Sequence, residues 1–190
     1  MQRWRTIAAV LALGALVLTG CSDSYEGARS ELSLVALNGD NDASTQPLHS
    51  DLIHFGEDKV PSGDDYVVED AIGFVVQNDP VNDQLNITAG GPFGKITLNR
   101  YTVRYISDES LTTFEGALHL EVLSGRQAAG IFTVVPADMK IREPLLSYLQ
   151  AGRELTATAE ITFYGVEKTS GEEVSVTAGL PVHFANWADE

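Results

Sequence analysis

The stretch Glu154-Leu155-Thr156-Ala157-Thr158-Ala159-Glu160-Ile161-Thr162-Phe163-Tyr164 alternates without a break from Glu154 to Phe163. Leu155, Ala157, Ala159, Ile161 and Phe163 are apolar, whereas Glu154, Thr156, Thr158, Glu160 and Thr162 are polar. A period of two sets alternate side chains on opposite sides of an extended chain, so this is a strand with one dry and one wet face. After a turn at Thr169-Ser170-Gly171, Val174, Val176, Ala178, Leu180, Val182 and Phe184 alternate with Glu173, Ser175, Thr177 and His183. Two such runs about a Ser-Gly turn specify a long β-hairpin. We expect Phe163 and Phe184 to meet near one end of it.

The same rhythm extends upstream. Phe114, Gly116, Leu118, Leu120 and Val122 form an inward set against Glu115, His119 and Glu121. Tyr101, Val103 and Tyr105 oppose Arg100, Thr102 and Arg104, and Ile72, Phe74 and Val76 close a run that begins near Tyr66. Shorter runs at 32–37 and 130–135 bring the count to about seven strands. Residues 138–149 differ: Ile141, Leu145, Leu146 and Leu149 fall at helical spacing, with Asp138 as N-cap and Gly152 just past the end. Pro144 divides this segment, so one or two short turns near 138–150 are expected, plugging one end of the fold. Residues 38–65 and 78–94 read as loops, the first with a short strand hidden at 52–55. Even strand spacing and one-sided alternation describe an all-β, antiparallel two-sheet sandwich. It resembles the immunoglobulin and fibronectin architecture, with the last hairpin as its closing F and G strands. A small β-barrel is the alternative.

The N-terminus reads differently. Arg3 and Arg5 precede a twelve-residue apolar run from Ile7 to Leu18, which is too short to span a bilayer and has the form of a secretory signal. It ends in Leu18-Thr19-Gly20-Cys21, which resembles the lipobox of bacterial lipoproteins. That resemblance implies removal of residues 1–20 and lipidation of Cys21, the only cysteine. It also implies a membrane anchor, with several acyl chains giving stable attachment. Residues 21–30 are then a lipidated flexible tether, and 31–190 a single sandwich domain. Ser22, directly after the cysteine, is similar to the residue that permits sorting to the outer membrane, on its periplasmic or surface face.

Loss of the leader removes two of the 12 basic residues and none of the 27 acidic ones, leaving a net charge of −17. Such a surface repels nucleic acid and anionic lipid. No cysteine remains for a disulfide, so the core alone holds the fold. More than twenty large apolar side chains are available, each contributing roughly 1.5–3 kcal/mol when buried.

Catalytic motifs are sparse. There is no Gly-x-Ser-x-Gly elbow, and Gly90-Gly91-Pro92-Phe93-Gly94 lacks the Lys-Ser/Thr ending of a phosphate loop. His119 and His183 fall on wet strand faces, and His49 and His54 fall in the first loop, assigned to solvent. Asp40, Asp42, Asp64 and Asp65 are weak calcium candidates, since calcium takes oxygen ligands, but the EF-hand spacing is absent. Arg100 and Arg104 are accounted for by cross-strand charge pairs with Glu115, His119 or Glu121. The expectation is a non-catalytic, cofactor-free envelope lipoprotein whose sandwich binds a protein or glycan partner as an accessory module. The alternatives are a calcium-dependent adhesion module and a hydrolase built from loops around Asp51, His54 and Asp65.

Overall fold

A computed structural model of the chain describes residues 29–38, 46–54, 66–81, 90 and 93–187. Among them, strands β1 (Ser30–Leu37), β2 (Leu48–Asp51), β3 (Asp70–Pro80), β4 (Ile96–Ile106), β5 (Phe114–Val122) and β6 (Arg126–Val135) come first. Helices α1 (Ala137–Lys140) and α2 (Leu145–Ala151) follow, then strands β7 (Leu155–Glu167) and β8 (Glu173–Ala185). The strands form two sheets, β1-β3-β6 and β2-β8-β7-β4-β5. In immunoglobulin lettering, β1, β3 and β6 stand as A, B and E, and β8, β7, β4 and β5 as G, F, C and C′. The fold is an all-β sandwich, as expected, and its last two strands form the long hairpin β7–β8.

The described strands number eight rather than seven, because β2 lies in the stretch read as a loop. It sits at Leu48–Asp51, ahead of the expected 52–55, and pairs parallel to β8, so the sandwich is not wholly antiparallel. A four-residue strand carries too few alternations to be seen by period alone. β3 likewise continues past Val76 to Pro80, with Asn78 turned inward and donating to the carbonyls of Gly94 (2.7 Å) and Val122 (2.9 Å).

The inward sets of both sheets meet in one core. Phe163 is its centre: its ring stacks on Phe74 at 4.4 Å and meets the edge of Phe132 at 5.0 Å. Space for these rings is made by glycine: a Cβ on Gly130 would lie 2.6 Å from the Phe74 ring, and one on Gly116 would lie 2.2 Å from that of Tyr101. Phe163 and Phe184 do not meet. Phe163 stands opposite Val176 and Phe184 opposite Leu155, eight residues down the strand and so roughly 26 Å away. Phe163 stands six residues before Thr169 and Phe184 thirteen after Gly171, so pairing about this turn keeps the two rings apart. On β5 only Val122 is fully buried, and Phe114, Leu118 and Leu120 are half-covered because β5 is an edge.

Pro144 separates two short helices that close one end. Leu145, Met139 and Tyr148 are buried there, whereas Ile141 is exposed. Pro136, not Asp138, occupies the N-cap, and Asp138 instead pairs with Arg142 at 2.9 Å. Gly152 ends α2 in the left-handed region, as expected from its position. Lys140 is completely buried, and its ammonium reaches Asp70 Oδ2 (2.9 Å) and the carbonyl of Asp51 (2.7 Å). Asp70 also accepts from Ser50 Oγ at 2.6 Å. One buried cation therefore ties α1, β2 and the start of β3 together.

At the other end, the buried Glu167 accepts from the backbone N–H of Arg29 (3.0 Å), Ser170 Oγ (2.6 Å) and the N–H of Thr169 (3.1 Å). Burial works to raise its pKa, but these hydrogen bonds outweigh it and hold the carboxyl below its ordinary value. Arg29 and Ser30, assigned above to the tether, are thus already engaged by the sandwich.

Candidate functional site

The wet faces of the two sheets differ in kind. On the five-stranded sheet, register sets Arg104 against Glu160, Arg100 against Tyr164 and Thr162 against Thr177. These become an ion pair at 2.8 Å, a guanidinium 3.8 Å over a ring and a hydroxyl pair at 2.9 Å. Arg100 also approaches Glu115 at 3.7 Å, and Lys95 pairs with Glu121 at 2.7 Å. The Lys95 hydrogen bond holds the Glu121 carboxyl below its ordinary value. The cross-strand pairing expected of Arg100 and Arg104 is present, with Glu160 as the partner of Arg104.

The three-stranded sheet turns outward a different set. Ala71 faces Thr133, Gly73 faces Ile131, Val75 faces Ala129 and Gln77 faces Gln127, while β1 adds Ser33 and Val35. No charged side chain stands in this rectangle. Ile131, 73% exposed, is the most exposed large apolar residue among those described. Gln127 donates to Gln77 at 3.0 Å, and Gln77 in turn donates to the Asp79 carboxylate at 2.7 Å, so Asp79, opposite Glu31, marks the charged rim at one end. Glu69, which accepts from Thr133 Oγ1 at 3.3 Å, marks the rim at the other end.

A third feature gathers at the end of β2 and β8. Parallel pairing sets His49 beside His183, with ring centroids 5.3 Å apart, and Trp187 meets His49 edge-on at 5.1 Å. The Trp187 backbone N–H donates to Asp51 Oδ1 at 3.2 Å, and His54 Nδ1 lies 3.3 Å from Asp51 Oδ2. Tyr66 stacks on His54 at 5.3 Å. Three of the chain's four histidines therefore share one patch with two other aromatic rings and a carboxylate. His49 is exposed, as expected, although it stands on a strand against two rings, whereas His54 is half-buried in a bridge with Tyr66. Ser50 directs its hydroxyl to Asp70, away from both imidazoles, so β2 presents no serine to a histidine base.

Cys21, Asp40, Asp42, Asp64 and Asp65 lie outside the described residues. Among those described, no group of three or more His, Cys, Asp or Glu side chains is placed to hold a metal ion. The two features missed in the sequence are the bare sheet face and the His49–His183–Trp187 convergence. Short runs of Ala, Gly and Val on β3 and β6 could have signalled the first. The second carried no signal, since His49 lies well over a hundred positions from His183 and Trp187. Comparison with protein-family models, curated proteins and solved structures returned no match.

Proposed function

We propose that this chain is a lipid-anchored protein of the bacterial cell envelope, tethered through Cys21, whose sandwich is a non-catalytic module that docks a protein partner. The observation that carries the docking reading is the bare outer face of β1, β3 and β6, around Val75, Ala129 and Ile131, on a chain with 27 acidic residues. Apolar patches rimmed by polar groups mark interaction sites, and a rigid sheet presents one without an ordering cost. The Leu18-Thr19-Gly20-Cys21 resemblance supports the anchor, and Ser22 supports the outer membrane. A glycan partner is the second reading, favoured by the aromatic patch of Trp187, His49 and Tyr66 around Asp51.

Two measurements test this. Palmitate-analogue labelling should mark the wild type in the membrane fraction, and Cys21→Ser should abolish the label and leave an uncleaved or mislocalised precursor. Normal processing of that variant would refute the anchor. A photo-crosslinking residue at position 75 should trap a discrete protein in intact envelopes, and the same residue at position 158 on the other sheet should not. Adducts from position 158 alone would refute the docking face. The calcium alternative is tested by melting with calcium or EDTA: a shift beyond a degree or two would mean selective binding to the native state.

A further inference from the structure

Four edges bound the two sheets: β1 and β6 on one, β2 and β5 on the other. An open edge is a template for another chain, and folded proteins blunt it by shortness, charge, a bulge or a cover. β2 is four residues long. β5 carries Glu115, His119 and Glu121 on its exposed side, and β1 carries Glu31 and a bulge after Leu34. β6 has its charge, Arg126, and its bulge, at Val134, only at its two ends, and from Gln127 to Thr133 it has none of these protections among the described residues. Arg126 apart, none of its ten residues is charged, and Ala128, Ala129 and Gly130 leave its middle narrow. The immunoglobulin plan places strand D beside this edge, and no described strand lies there.

We infer that two copies of this chain pair through β6, antiparallel and about a twofold axis, joining their three-stranded sheets into one of six strands. Charge selects the occupant. The chain carries a net charge of −15, so two copies meeting across β5 or the five-stranded face oppose Glu115, Glu121 or Glu160 to one another. At β6 they oppose backbone, alanine, glycine and isoleucine, and no carboxylate meets another. The small residues let the backbones approach to ladder distance. A twofold contact uses the edge on both copies and closes the assembly, so the hazard of an open strand ends in a dimer rather than a fibre. One strand pair is a small interface, so the dimer should dissociate on dilution. Attachment to one membrane would raise the effective concentration. The inference rests on the edge of β6 and stands apart from the docking of a partner on the face.

The experiment is sedimentation equilibrium on the full chain in mild detergent over a wide range of concentration. Wild type should convert reversibly from one protein mass to twice that mass as concentration rises. Ala129→Lys with Ile131→Lys should weaken this at least tenfold, about 1.4 kcal/mol, and so should the corresponding double glutamate variant. An equimolar mixture of the two variants should recover the dimer, because the twofold pairing sets lysines against glutamates, and recovery also shows that both are folded. Val75→Lys, on the central strand of the same face, should leave dimerisation unchanged while weakening partner crosslinking from a photo-reactive residue at the neighbouring position 73, so the two proposals fail separately. A wild type that stays monomeric throughout overturns the inference. Loss of the dimer in Val75→Lys to the same degree would also overturn it, because that result means face-to-face contact.

Discussion

Along the outer side of β4, β5, β7 and β8, side chains answer one another across the strands: Arg104 with Glu160, Arg100 with Tyr164 and Glu115, Thr162 with Thr177. Along the outer side of β1, β3 and β6, alanine, glycine, valine and isoleucine stand in the equivalent positions. Both sheets supply similar dry faces to a shared core, so the contrast does not arise from the needs of folding. Exposed charge pairs contribute 0 to about 1 kcal/mol each, and cross-strand pairs about as little. The polar ladder keeps one face soluble and closed to other chains. The bare face lacks that protection, which is why the docking reading is placed there.

Removing what the faces share should have the largest effect. Phe163→Ala takes away the ring at the centre of the core and should cost roughly 3–5 kcal/mol in urea denaturation. A cost near 1 kcal/mol would mean that the sheets are held independently. Lys140→Ala should cost a similar 3–5 kcal/mol, because Asp70 is left partly buried without its cation, and Asp70→Asn in the same chain should recover part of the loss.

Glu167→Gln should cost about 1–3 kcal/mol near neutral pH, since three donors lose a charged acceptor. The pH dependence has a definite sign. The folded-state pKa is held below the ordinary value, so the carboxylate's contribution is present above the unfolded pKa and is lost as pH falls through the folded one. Wild type and variant should therefore converge in stability at acid pH, and an unchanged gap there would assign the cost to packing.

The smallest expected effects on stability compare the faces directly. Arg104→Ala and Thr158→Ala on the polar face should each change stability by less than about 1 kcal/mol. Val75→Lys on the bare face should change it by about 0.5 kcal/mol or less, yet strongly reduce partner crosslinking from a photo-reactive residue at position 73. Equal loss of crosslinking from Thr158→Lys would erase the functional distinction between the faces.

The amino-acid sequence alone determined the sandwich, because long period-two runs leave few alternatives. Leu155 to Phe163 and Val174 to Phe184 state which side of each strand is dry, and Gly152 marks where the helical insertion ends. It also carries the lipobox resemblance at Cys21, whose reading needs only local spacing. The tertiary structure alone decided what depends on register between distant segments. Leu48-His49-Ser50-Asp51 became a parallel strand through its pairing with β8, and the same pairing brought His49 to His183 and Trp187. Lys140 reads as an ordinary surface lysine until β2 and β3 surround its ammonium. The ladder sets Phe163 opposite Val176 and Phe184 opposite Leu155, which keeps the two rings far apart along the hairpin. Period identifies a face; only strand order states what lies across it, which is how Ala129, Ile131 and Val75 came to share one uncharged surface.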